Sequence, residues 1–142
     1  VEVKVRKLDK EAKLPTRATE GSAYFDVCTI SDLIIVPGEK AVVHTGLSFE
    51  LPFHWVLDIR PRSGLASKGL IILNSPGTLD SDYRGELLIS AFNLAGSPFI
   101  ALKKGDRVAQ INVLPIPSIE FKEVEGLSET ERGEGSFGST GD

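Results

Sequence analysis

Short apolar runs of period two, cut by turn residues about every ten positions, constrain this chain more than any other feature. Residues 1–5 alternate valine with charge. Similar runs follow at residues 33–36, 41–45, 47–51, 55–60, 70–73, 86–92, 99–102, 107–114 and 119–124. Pro37-Gly38, Gly46, Pro52, Gly69, Pro76-Gly77, Gly96-Ser97-Pro98 and Gly105-Asp106 separate them. Successive strand side chains point to opposite faces, so each run buries one face and leaves the other wet. About ten short strands at this spacing predict an all-β fold, a distorted jelly-roll sandwich or barrel. The one helical stretch is a short turn over residues 63–68, too brief to stand without packing.

A chain of 142 residues is one domain, able to bury roughly two thirds of its unfolded surface. The domain is read as residues 1–125. Residues 126–131 form a polar linker that lets a glycine-rich, mobile tail travel, so 126–142 stand apart. A net charge of −4 argues against a general nucleic-acid binder, while leaving room for a small polyanion wherever basic groups cluster. No apolar run long enough to span a membrane is present, and residues 1–7 hold no signal-peptide core. The single cysteine, Cys28, allows no intrachain disulfide and suits a reducing cytoplasm. Between Phe25, Val27 and Ile30 it reads as a small core residue. His44 and His54 have no cysteine or acid at metal-ligand spacing and read as structural.

The tail, Arg132-Gly-Glu-Gly-Ser-Phe-Gly-Ser-Thr-Gly-Asp142, cannot build a core. It does carry a guanidinium fork in Arg132, a flat stacking group in Phe137 and the hydroxyls of Ser139 and Thr140. Glycines such as Gly138 let backbone N–H groups approach an anion closely. These are the parts needed to wrap a nucleotide phosphate chain with a segment that orders on binding. A disordered terminus is the competing reading. The dinucleotide motif needs a strand before and a helix after it, and the match to G-x-G-x-x-G at Gly133–Gly138 has too few residues after it for a helix. No lysine precedes Ser139 as a P-loop requires.

Four internal stretches pack polar residues between glycines more densely than a sandwich loop needs. Gly21-Ser-Ala-Tyr-Phe-Asp26 ends on an acid that is either functional or a turn cap. In Arg60-Pro-Arg-Ser-Gly-Leu-Ala66, Arg62, Ser63 and Gly64 precede or open a short helix, and form either an anion site or a surface ion pair with a capping serine. Asn74-Ser-Pro-Gly-Thr-Leu-Asp-Ser-Asp-Tyr-Arg-Gly-Glu86 reads as a hairpin whose edge offers Asn74, Gly77, Thr78, Asp80 and Tyr83. Within it, Asp82, Arg84 and Glu86 read as a solvated ion-pair ladder. In Gly105-Asp-Arg-Val-Ala-Gln110, Asp106 and Arg107 read as turn residues. Gln110 is either a satisfied core amide or a ligand-facing one.

Taken in order with the tail, these stretches closely resemble the homotrimeric dUTPase family, the deoxyuridine triphosphate nucleotidohydrolases, in its bacterial form. The resemblance covers nearly the whole chain. It rests on Pro61-Arg-Ser-Gly-Leu-Ala66, Leu79-Asp-Ser-Asp-Tyr-Arg-Gly85, Gly105-Asp-Arg-Val-Ala-Gln110 and residues 132–141. One motif departs. Where the family has Ala-Gly-Tyr-Asp or Ala-Gly-Leu-Asp, this chain has Ala23-Tyr24-Phe25-Asp26.

The resemblance implies hydrolysis of dUTP to dUMP and pyrophosphate by attack of water on the α-phosphorus. Asp80 would be the general base and would bind the deoxyribose 3′-hydroxyl. Asn74, Gly77 and Thr78 would read uracil, Tyr83 would pack under the sugar, and Phe137 would stack on the base. Arg62, Ser63, Gly64, Gln110, Arg132, Gly138, Ser139 and Thr140 would hold phosphates. Mg2+ would ride on the triphosphate, with Asp26 reaching it through water. The family assembles its sites from three chains of a homotrimer. Two rivals stay open: a dCTP deaminase on the same fold, against which Ser90 replaces an expected glutamate before Asn93, and a nucleotide-binding trimer without catalysis.

Overall fold

The computed structural model describes residues 1–136 and Gly138. Its strands are β1 (Lys4–Lys7), β2 (Phe25–Cys28), β3 (Leu33–Ile35), β4 (Lys40–Glu50) and β5 (Trp55–Pro61). The one short helix, α1 (Ser63–Ala66), comes next, then β6 (Leu70–Ile72), β7 (Gly77–Leu79), β8 (Glu86–Asn93), β9 (Ile100–Leu102) and β10 (Arg107–Pro115). Two four-stranded sheets, β1-β4-β8-β6 and β2-β10-β5-β7, face each other, and β3-β9 forms a two-stranded flap. The architecture is the all-β, jelly-roll sandwich that the alternation predicts.

The inward faces of the long strands build the core. Val43, Leu47 and Phe49 from β4 and Leu87, Ile89 and Ala91 from β8 face Leu57 and Ile59 of β5 and Ile111 of β10. Each large aliphatic so buried contributes about 1.5–3 kcal/mol. Asn93 is fully buried at the end of β8. Its amide donates to the Ile35 carbonyl at 2.9 Å and the Pro98 carbonyl at 2.8 Å, tying the flap to the sandwich.

Gly46 does not end a strand as its position suggests. Residues 41–51 are read as two runs, but β4 is continuous through Gly46. Between His44 and Ser48, β4 spends four residues where β8 spends two, from Leu88 to Glu86. The bulge adds an even number, so Val43, Thr45, Leu47 and Phe49 all still face inward. Gly46 has φ +66°, and a Cβ there would lie 3.0 Å from the Ala12 Cβ and 3.1 Å from the Ile30 Cγ2. Gly46→Ala is expected to cost about 1–3 kcal/mol, read as a lowered Tm.

Other runs also shift. The first strand is Lys4–Lys7, displaced from residues 1–5 by pairing with β4. Residues 119–124 form no strand, and Ile119 and Phe121 are exposed. Strands β2 and β7 are too short to show a period. Residues 74–86 are not a simple hairpin either, because β7 pairs with β5 while β6 and β8 pair in the other sheet. No helix among the described residues is long and apolar enough to cross a membrane.

Candidate active site

Predicted site residues gather in two places. The first is on the outer face of the β2-β10-β5-β7 sheet. Register sets Asp26 opposite Gln110, and Gln110 opposite Arg60. Directly paired residues share a face. Arg62, just past β5, donates through Nε to Asp26 Oδ1 at 2.9 Å. Arg107 donates to Asp26 Oδ2 at 3.2 Å, and the Arg62 NH1 group donates to the Arg107 carbonyl at 3.1 Å. Two guanidinium groups on one carboxylate leave a surplus positive charge beside α1. The Gln110 amide donates to the Pro61 carbonyl at 2.9 Å, which holds it against the same turn. Ser63 and Gly64 open α1, where first-turn N–H groups have no partner within the helix. A Cβ on Gly64 would meet nothing within 4 Å, so this backbone is open to a ligand.

The second place is a cleft of about 180 Å³ between β7 and the start of β8, lined by Asn74, Thr78, Asp80, Tyr83, Ile59 and Leu87. Gly77 packs behind two of these lining residues: a Cβ there would come within 3.1 Å of the Ile59 Cβ and 3.4 Å of the Asn74 Nδ2. Tyr83 is fixed at both ends. Its N–H donates to the Asp80 carbonyl at 3.2 Å, and its hydroxyl donates to the Glu86 carbonyl at 3.1 Å. The Asp80 backbone is anchored by the first of these bonds. The Asp80 carboxylate is exposed and makes no hydrogen bond or ion pair among the described residues.

The expected ladder of Asp82, Arg84 and Glu86 does not form. Arg84 folds back onto the Ser81 and Tyr83 carbonyls. Glu86 accepts from the Gly46 N–H at 2.8 Å and lies 2.9 Å from His44 Nδ1. His44 is therefore structural, as expected, and fastens the start of β8 to the β4 bulge. Cys28 is half-buried and lies outside the core, contrary to expectation, and burial pushes its thiol up from the ordinary value.

Asp26 and the cleft lie at opposite edges of one sheet, with β10 and β5 between them. Arg62, Ser63 and Gly64 follow the other end of β5: Leu57 pairs with Leu79 beside Asp80, and Pro61 before Arg62 is four residues, about 13 Å, further along. Among the described residues, the tail makes no hydrogen bond to either place. Arg132 donates through Nε to the Gly135 carbonyl at 2.9 Å in an exposed turn, and Gly138 has φ +77°. Phe137, Ser139 and Thr140 lie outside the described residues. Among the described residues, no three His, Cys, Asp or Glu side chains come together as a metal cage.

Sequence reasoning passed over three groups. Arg107 reads as a turn residue, yet it holds Asp26. Glu86 reads as solvated, yet it anchors the cleft. Tyr24 reads as a local departure, yet its hydroxyl donates to Asp58 Oδ2 at 2.6 Å. No local pattern reports these partners, because each pair is 34 or more residues apart.

The chain matches the dUTPase family model over residues 10–141. It is 49% identical to the deoxyuridine 5′-triphosphate nucleotidohydrolase of Nautilia profundicola, covering 99% of both chains. Among solved structures it is similar to the dUTPase of Staphylococcus bacteriophage 80alpha with dUPNHPP, with a TM-score of 0.90, 30% identity and 99% of both chains covered. It is also similar to a mutant dUTPase of the S. aureus phage phi11, described with a coordinated structural Mg(II) ion. That match has a TM-score of 0.79 and 27% identity, covering 89% of this chain and 98% of that one.

Proposed function

The chain belongs to the dUTPase family, and on that premise we propose that it hydrolyses dUTP to dUMP and pyrophosphate with Asp80 as general base. The observation that carries this reading is the contrast between its two carboxylates. Both Asp26 oxygens are already engaged by arginines. Among the described residues Asp80 makes no ion pair or side-chain hydrogen bond, and its carboxylate at the mouth of the cleft is open to a water. Water attacks the α-phosphorus, its proton passes to Asp80, and the bond from the α-phosphorus to the α–β bridging oxygen breaks. Pyrophosphate leaves with that electron pair.

Asn74 and the backbone around Gly77 and Thr78 read the uracil edge. A base with the wrong donors leaves these groups unpaired, which discriminates more strongly than lost apolar contact. Tyr83, fixed at both ends, walls the sugar. Arg62, Ser63, Gly64 and Gln110 take the phosphates, and electrostatic stabilisation there supplies most of the rate gain. Arg132 clamps the terminal phosphate in bidentate fashion, with Gly138, Ser139 and Thr140 closing beside it and Phe137 over the base.

The donor set fits Mg2+. This ion keeps phosphate oxygens and waters as ligands and needs no protein cage. Both Asp26 oxygens already accept from guanidinium groups, so Asp26 could reach the ion only through a water. Asp26 would face it, and the ion would neutralise charge on the triphosphate.

A base within hydrogen-bond reach of the attacking water cannot sit at the opposite end of a strand from its phosphate site. The separation of the two half-sites therefore supports a homotrimer in which neighbouring chains complete each site. The cytoplasm, where the lone thiol stays reduced, is the place of action this reading assigns it. Pyrophosphate release measured with dUTP, dTTP, dCTP and UTP is expected with dUTP alone. Turnover of dTTP at a comparable rate, or ammonia from dCTP, overturns the reading.

A further inference from the structure

Asp26 sits on a weakly held strand. β2 has four residues and pairs with β10 alone, where the register shifts between Arg107 and Ala109. On its other side, Asp26 makes a single bridge to Thr16. The segment 17–24 before it is largely exposed, and Thr19 and Ser22 bond only to each other. Among the described residues, one side-chain hydrogen bond ties that segment to the rest of the sheet: Tyr24 to Asp58.

That bond spans a strand. Phe25 is opposite Ile111, so Tyr24 falls beside Asn112, and Asn112 is opposite Asp58. Tyr24 therefore reaches over β10 to β5. Asp58 is 7% exposed, a carboxylate that needs partners. Its Oδ2 accepts from the Tyr24 hydroxyl at 2.6 Å and from Arg60 Nε at 2.8 Å. The Arg60 guanidinium lies 4.8 Å from the Tyr24 ring centroid, which closes the triangle. Burial, followed by the bond to Asp58, pushes the Tyr24 phenol up from its ordinary value. It remains a neutral donor at pH 7. Arg60 is opposite Gln110, so the triangle abuts the row that carries Asp26 and Gln110.

We infer that Tyr24, Asp58 and Arg60 form a strut across β10 that fixes the Asp26 strand, making Tyr24 and Asp58 positioning residues for the metal–triphosphate half of the site. This rests on the proposed dUTP chemistry. It also gives a role to the residue that departs from the family's motif glycine.

The test uses full-length Tyr24→Phe, Asp58→Asn and the double variant. Loss of a supporting bond behind a metal-facing group typically weakens metal binding by about 10–100-fold. Tyr24→Phe is expected to raise the Mg2+ concentration for half-maximal turnover about tenfold. Mn2+ binding to the complex with the imido analogue of dUTP, read by electron paramagnetic resonance, should weaken by the same factor. Metal-free dUMP affinity, which reports the cleft, should stay within about twofold. The double variant should be no worse than either single one, because both break one strut. Unchanged Mn2+ binding, an equal loss of dUMP affinity, or additive losses in the double variant would each overturn the inference. A lowered Tm with normal Mn2+ binding likewise reduces Tyr24 to a packing residue. If the wild-type chain fails to release pyrophosphate from dUTP, the functional reading falls instead.

Discussion

Asp80→Asn is expected to cut the turnover of dUTP by about two to four orders of magnitude, the usual loss for a positioned general base. That corresponds to about 2.7–5.5 kcal/mol of transition-state stabilisation. Asparagine keeps the size and the hydrogen-bonding edge of aspartate but cannot accept the proton of the attacking water. The Asp80 backbone is anchored through the Tyr83 N–H, so the variant should hold the same position in the cleft. Affinity for the imido analogue of dUTP should then change little. A fall in kcat with a steady Kd separates lost chemistry from lost binding. No other nearby carboxylate can take over. Glu86 is committed to Gly46 and His44, Asp26 is committed to two arginines, and Asp82 does not line the cleft. Single-turnover pyrophosphate release at saturating nucleotide checks the expectation. A rate within about threefold of the wild type removes Asp80 from the mechanism.

The parts of the site differ in how far the sequence betrays them. Long strands such as β4 and β8 are legible because period-two burial repeats several times within each. Strands β2 and β7, at four and three residues, repeat too little to register. They nevertheless carry the two carboxylates into place, one within β2 and one just after β7. Residues 119–124 mislead for the converse reason. Their alternation is real, but in the single chain no strand is paired with them. Gly46 misleads because the same residue that ends strands also permits a positive-φ bulge within one. The motif residues are legible as chemistry, since a guanidinium beside a serine and glycine, or an unpaired acid in a turn, states what it can bind. Their partners are not legible. The pairing of Asp26 with Arg107, of Glu86 with His44 and of Tyr24 with Asp58 comes from register, and register is a property of the whole sheet.

Register is also why one chain is expected to be inactive on its own, and subunit mixing makes that visible. Asp80→Asn chains lack the base, and chains truncated before Arg132 lack the phosphate clamp and the closing tail. Each alone should be nearly silent. If each site draws the cleft from one chain and the tail from another, unfolding and refolding an equal mixture should restore about one quarter of the wild-type sites. That fraction is one half for an intact cleft times one half for an intact tail. The physical basis is the spacing along β5: Leu57, beside the strand that leads to Asp80, and Pro61, just before Arg62, are four residues or about 13 Å apart, whereas proton transfer needs contact. Within one chain the base would have to act on a phosphate bound at the other end of that strand. On the shared-site proposal, the cleft of one copy meets the arginine-bearing turn of the next, and the tail comes from a third. Pyrophosphate release from the refolded mixture, against each variant refolded alone, provides the measure. Activity no greater than the sum of the two variants would mean that each chain closes its own site, and the shared-site trimer would have to be given up.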